Sequence, residues 1–183
     1  MKNIKEGYLR VSDILSVWCD FSNIDPYVLS NKCRIGTNVH AKIAAQKELI
    51  YIELQEDEKG YYDSWIKCKE KYFKDCETIE AEKRLYCERL KITGCIDCLI
   101  KKDRKNYVID YKTSARPNLK TWSLQAAFYH YLCRVNDYVI EPYVFFVQLK
   151  KDGKTAKIHK ISIDDELRRT AEAALKIYRY FND

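Results

Sequence analysis

Residue 79 marks a change of period that limits what this chain can fold into. Before it, apolar residues recur at the three- and four-residue spacing of amphipathic helices. After it, "IEAEKRLYCERLKITGCIDCLIKK" and "NYVIDYKTS" show short apolar runs and partial alternation broken by charged turns, the pattern of antiparallel strands. "LKTWSLQAAFYHYLCRVN" then reads as a helix and "EPYVFFVQLKK" as a buried strand. "KTAKIHKISI" reads as its hairpin partner across Asp152-Gly153, and "DDELRRTAEAALKIYRYF" as a closing helix begun by Asp164 or Asp165. The order is helices, three strands, helix, two strands, helix, which predicts an α/β fold with a central mixed sheet flanked by helices. At 183 residues the expectation is a single domain, with a helical N-terminal part over about 1–78 and a core over about 79–183.

Within the N-terminal part, Ser12 is the expected cap of a short helix in "DILSVWCDF". "SNIDPYVLSNKCRIG" carries turn signals around Pro26 and stops at Gly36. "TNVHAKIAAQKELIY" then reads as a helix capped by Thr37 or Asn38, with His40, Ile43, Ala44 and Lys47 on one face. "QEDEKGYYD" reads as a polar connection, and "SWIKCKEKYF" as a helix lined by Trp65, Ile66, Tyr72 and Phe73.

Hydrophobic residues make up 46% and charged residues 33%, a composition that needs no disorder to explain it. No stretch is long enough to span a bilayer, and "MKNIKEGYLRVSDIL" lacks the apolar run of a secretory signal, so a cytoplasmic or equivalent reducing compartment is expected, with no membrane partner. In such a compartment the eight cysteines are expected to be thiols. Cys95 and Cys98 form a CxxC, but residues three apart on a strand point to opposite faces and cannot share a zinc ion.

The net charge of +6 is unevenly placed. Over 101–120 seven Lys or Arg face two Asp, a local surplus of five. Such a run is either a solvated face or a cationic patch beside a site that handles polyanions. Inside it, Asp110 and Lys112 share one face of a strand, because side chains alternate with a period of two. Asp97, between apolar neighbours in "GCIDCLI", reaches the same end of the sheet if the two segments pair as a hairpin through "KKDRKN". Two buried carboxylates repel one another and drive each other's pKa upward, a penalty that a divalent cation removes. Carboxylates with water and phosphate oxygen suit Mg2+ or Mn2+.

Four segments, "GTNVH" at 36–40, "GCID" at 94–97, "VIDYKTS" at 108–114 and "QAAFY" at 125–129, stand in an order that resembles the PD-(D/E)XK nuclease superfamily, within it the RecB-like exonuclease branch. Size and general pattern are also similar to the mitochondrial genome maintenance exonucleases. The resemblance implies a restriction-endonuclease-like core and assigns roles. Asp97, Asp110 and Lys112 would be catalytic. His40, Asp97, Asp110, the Tyr111 backbone carbonyl and an acidic residue, Glu82 or its competitors Glu80 and Glu88, would hold the metal. Gln125, Tyr129, Thr113, Ser114 and Arg116 would face substrate, although Tyr129 reads equally as a core aromatic.

Some relatives carry an iron–sulfur cluster on one early and three late cysteines; only Cys133 follows the lysine motif, so no cluster is expected. The activity implied is a Mg2+- or Mn2+-dependent DNA nuclease in DNA repair, recombination or replication. Single-stranded ends are the favoured substrate, because 15 Tyr and 3 Trp supply surfaces for stacking unpaired bases. A helicase or recombination protein that delivers unwound strands is an expected partner. The alternatives are an inactive nucleic-acid-binding module on the same fold, a duplex endonuclease, and a cysteine-based zinc or scaffold protein.

Overall fold

The structure, a computed structural model, describes residues 4–19 and 22–182. A two-residue strand, β1 (Leu9–Arg10), leads into a short helix, α1 (Val11–Ser16). Two long helices follow, α2 (Pro26–Glu48) and α3 (Glu56–Tyr72). They precede three strands, β2 (Glu77–Cys87), β3 (Ile92–Lys102) and β4 (Lys105–Lys112). Helix α4 (Leu119–Val135), strands β5 (Tyr143–Gln148) and β6 (Lys157–Ser162), and helix α5 (Asp165–Asn182) complete the chain.

The six strands form one mixed sheet. β3 pairs antiparallel with β2 and β4, β4 pairs parallel with β5 through the α4 crossover, and β6 closes the edge antiparallel to β5. Helices cover both faces. On one, Val11 and Ile14 of α1, Trp122, Ala126 and Leu132 of α4 and Leu175 of α5 pack on Ile96, Val108 and Phe146. On the other, Ile35, Val39 and Ile43 of α2 and Tyr61 and Trp65 of α3 pack on Ile100, Ile109 and Val147. Alternation along β4 and β5 sends successive residues to opposite layers, whereas on β3 it is interrupted between Ile96 and Cys98, the interval that holds Asp97.

The predicted order of elements is found, with four differences. α2 begins at Pro26, eleven residues before the expected start at Thr37 or Asn38. Asp25 caps it by accepting from the Tyr27 and Val28 amides, and proline at the first turn leaves no helical bond unmade. Gly36 therefore lies inside the helix, where its missing Cβ faces Thr113. α3 likewise absorbs most of the expected polar connection, because Gln55 and Glu58 form a reciprocal capping box. Arg10, not Ser12, precedes α1, which ends at Ser16; Asp20 and Phe21 of that expected helix lie outside the described residues. β1 was not expected, since two residues carry no period.

β1 matters for position. β2 occupies one edge of β3 along nearly its whole length, while the other edge is shared: β1 pairs at Ile92 and Thr93, and β4 from Cys98 onward. Residues 94–97 lie on the interval between them. The hairpin joining β3 to β4 turns on Asp103 and Arg104, both with positive φ (50° and 64°), as the right-handed twist of a two-residue connection requires.

Candidate active site

The site forms where β3 and β4 part. Their last paired residues are Cys98 and Ile109, so Asp97 and Asp110 face one another just beyond the ladder. There the Asp97 carboxylate takes over from the missing main-chain acceptor: its Oδ2 accepts the Tyr111 amide at 2.7 Å. Both aspartates are buried, Asp110 to 1% exposure. Close approach of α4 is permitted by Gly94, whose added Cβ would lie 2.9 Å from Leu132 and 3.0 Å from Tyr129.

Two groups of side chains converge on this gap. From α2, His40 Nδ1 lies 3.4 Å from Asp97 Oδ2 and 4.0 Å from Glu82 Oε1. Donor atoms of His40, Glu82 and Asp97 fall within 4.8 Å of one another, the one such grouping among the described residues. From α4, Gln125 bridges the other carboxylate to the lysine. Its Nε2 donates to Asp110 Oδ1 (3.0 Å) and to the Tyr129 hydroxyl (2.9 Å), while its Oε1 accepts from Lys112 Nζ (2.9 Å). Lys112 Nζ is 2.6 Å from Asp110 Oδ2. Apart from that ion pair, Oδ2 is buried without a hydrogen-bond partner.

The electrostatics show an anionic cluster short of positive charge. Burial alone would lower the His40 pKa, but Asp97, Asp110 and Glu82 lift it to about 9. Burial, with Asp97 adding to it against the pull of Lys112, raises Asp110 to about 6. Asp97 moves the other way: burial opposes ionisation, but His40, Lys112 and the Tyr111 amide hold its pKa below the ordinary value. Burial and Asp97 raise Glu82. In the metal-free protein, a proton on His40 thus supplies the positive charge the carboxylates demand. A hydrogen-bond-deficient Asp110 oxygen and a histidine–carboxylate donor set fit a divalent cation, whose binding would release that proton.

Glu82 holds φ at +47°, a left-handed value that is costly for a residue with a Cβ and that occurs where β2 faces Asp97. Of its sequence competitors, Glu80 is engaged by Lys83 (3.2 Å) and the Tyr138 hydroxyl (2.9 Å), and Glu88 by Lys91 (3.0 Å). Thr113, Ser114 and Arg116 lie on the connection into α4, the latter two exposed. Tyr129 is 7% exposed, so its hydroxyl supports Gln125 while its ring fills the core.

One supporting residue was not anticipated. Gln148, paired with Lys112 in register, is buried and donates to the Ser114 and Ala115 carbonyls at 2.9 and 3.0 Å, while its Oε1 meets His159 Nε2 at 3.1 Å. It ties the segment after Lys112 to the sheet. Its only signal was a polar residue ending the apolar run "YVFFVQ". The basic run divides: Lys112 is in the site, whereas Lys101, Lys102, Arg104 and Lys105 surround the hairpin turn, seven residues or roughly 24 Å along β4. The hairpin cations are therefore a solvated tip, not a patch beside the carboxylates.

The sequence matches the family model of the PD-(D/E)XK nuclease superfamily over residues 26–179. The chain belongs to that superfamily. Two solved structures share the fold. A provisionally assigned exonuclease from Eubacterium rectale superposes with a TM-score of 0.57 at 12% identity, covering 97% of this chain and 84% of its own. An alkaline exonuclease from Laribacter hongkongensis gives 0.51 at 13% identity, with 95% and 87% covered. No curated protein matches significantly. In this PD-(D/E)XK domain, Asp97, Asp110 and Lys112 come together at the parting of β3 and β4.

Proposed function

We propose that the protein is a Mg2+- or Mn2+-dependent deoxyribonuclease that hydrolyses phosphodiester bonds from single-stranded DNA ends. The observation that carries this reading is the pair of buried aspartates at the end of the β3–β4 ladder, with Lys112 held between Asp110 and Gln125. Asp97, Asp110, His40 and Glu82, with the Tyr111 carbonyl, would hold the cation, which when bound lowers the pKa of water and offsets charge on the phosphate.

The chain's own residues do the rest. Lys112 Nζ carries a fixed positive charge to the scissile phosphate and orients the attacking water. Gln125, with one amide group engaged by Asp110 and Tyr129 and its carbonyl by Lys112, keeps that ammonium from swinging away. Gln148 anchors the Ser114–Ala115 backbone, so that Thr113, Ser114 and Arg116 are presented to the strand next to the reacting phosphate. Retention of Asp97, Asp110 and Lys112 together favours an enzyme over a binding module.

The test is degradation of end-labelled single-stranded DNA with Mg2+, Mn2+ or EDTA by the wild type beside Asp110→Ala and Lys112→Ala. Metal-dependent loss of label, absent in both folded variants, is expected. DNA binding without cleavage by the wild type would move the assignment to a binding module, and cleavage of circular duplex to an endonuclease.

A further inference from the structure

Behind the active site, on the side of α4 turned away from Gln125, the structure leaves a cavity of about 390 Å3, open to solvent, between α4 and α5. Its walls are apolar: Ala127, Phe128 and Val135 from α4, Ala171 and Leu175 from α5, and Leu90 from the turn between β2 and β3. The size lies within the range of small-molecule sites. Alanines on both facing helices leave the space that larger side chains would close.

The cavity is not uniformly apolar. His130 lines it, is 4% exposed and makes no hydrogen bond to any described residue. With no protein partner, the imidazole nitrogens are left for water or a ligand in the cavity. Arg134 and Arg168 stand at the rim, where Arg168 also pairs with Asp165 at 2.6 Å, and Glu172 is the one acidic group among the lining residues. Arg89 is close by, donating to the hydroxyl of the lining Tyr131 at 2.9 Å. Burial first, then Arg168 and Arg134, push the His130 pKa down to about 4, so the imidazole is neutral near pH 7. It then offers one donor and one acceptor into the cavity.

We infer that this cavity is a second ligand site, separate from the nuclease centre, for a small amphiphilic anion. The apolar body lies between Phe128 and Leu175, the carboxylate or phosphate meets Arg134 and Arg168, and His130 hydrogen-bonds the ligand from within. Two arginines beside an apolar floor favour one anionic group on an apolar or aromatic body. Two sources share that chemistry, an aliphatic carboxylate and a nucleoside monophosphate.

The experiment titrates wild-type protein in EDTA with octanoate and, separately, with dTMP, following the His130 ring resonances by NMR and the binding heat by calorimetry. Saturable binding of either probe with a shift of the His130 signals is expected, and which probe binds identifies the source. Arg134→Glu, an exposed change that leaves the core intact, should weaken binding on the order of tenfold or more. Ala171→Leu should block it by filling the space, and His130→Phe should weaken it if the larger filler fails to fold. No saturable response to either probe overturns the inference. So does dTMP binding that is unchanged in Arg134→Glu, because the nucleotide would then be seated in the nuclease centre.

Discussion

Two clusters of charge, each centred on a buried carboxylate, behave in opposite ways. Between α2 and α3, Glu58 is fully buried, yet both of its oxygens are satisfied: Oε1 by Arg34 and by Asn38 Nδ2 (2.8 Å), Oε2 by the Gln55 amide (2.9 Å). Arg34 also reaches Asp57 at 2.6 Å; Asp57 Oδ1 is buried without a hydrogen bond, so it is Glu58 that is fully paired here. At the parting of β3 and β4 the central carboxylate is not so paired. Three carboxylates share one lysine and one histidine, an Asp110 oxygen is without a hydrogen bond, and Glu82 holds a left-handed backbone. A buried charge that is fully paired joins elements together; one left short of partners is prepared for something that arrives.

The sharpest break of this comparison is Asp110→Asn. On the proposed reading it lowers DNA cleavage by on the order of 1,000-fold, the scale seen when an electrostatic group at the reacting centre is removed. Yet it should not destabilise the metal-free protein. An Asp raised from 3.8 to about 6 favours folding only while protonated, so stability is highest below the unfolded value and falls as pH rises toward the folded one. Above pH 6 in EDTA, Asp110→Asn is expected to raise unfolding stability by about 1–2 kcal/mol. Urea melts at pH 7 check this; a large loss of stability would place Asp110 with Glu58 as a structural charge.

Glu58→Gln tests the other cluster. It removes one partner of a buried pair while leaving Arg34 about a third exposed, so the loss should be about 2–3 kcal/mol, below the value for a fully enclosed pair. Cleavage by the molecules that remain folded should be unchanged. A fall in cleavage larger than the fall in folded fraction would connect the α2–α3 junction to the site through His40, four residues after Gly36 on the same helix.

The two clusters also differ in how far the sequence reveals them. Asp97, Asp110 and Lys112 stood out as charges in apolar runs whose strand alternation fixes where they point, whereas His40 and Gln125 were singled out by the resemblance of their motifs. Glu58 was not, because it lies in "QEDEKGYYD", where charge conceals charge, and only the capping box reveals that the helix has already begun. Gly36 misled for a related reason: a glycine usually ends a helix, but here it stays inside one because Thr113 lies across from it. Gln148 and the left-handed Glu82 depend on long-range contacts and backbone angles, which no local pattern carries.

His130 supplies a third way to bury an ionisable group, by remaining neutral. With a folded pKa of about 4 against 6.5 unfolded, its contribution is fully present above pH 6.5 and is lost as pH falls toward 4. The whole shift corresponds to about 3 kcal/mol. Carboxylates titrate at the lower end of this window, so the measurement is the difference in urea stability between wild type and His130→Phe at pH 7, 6 and 5. The wild type should lose ground to the variant at each step down. Parallel curves would mean that His130 is charged or solvated in the folded protein.

The smallest effect separates strain that serves a site from strain that serves none. Glu82 and Arg104 both hold a left-handed backbone, at +47° and +64°. At the two-residue turn, Arg104 stands where Asp-Gly is the favoured pair, and its side chain belongs to no cluster. Replacing it by glycine relieves roughly 1–2 kcal/mol of left-handed cost and returns part of that through the freer unfolded chain, for a net gain of about 0.5–1 kcal/mol. Cleavage should not change. Glu82→Gly should bring a similar gain by the same backbone argument but lose cleavage, because its carboxylate stands within reach of His40 and Asp97. If both variants gain stability and only Glu82→Gly loses activity, the strain at β2 is the cost of aiming a carboxylate into the centre. If Glu82→Gly keeps full activity, the left-handed residue is a feature of the strand, and the cation would rest on His40, Asp97 and Asp110 alone.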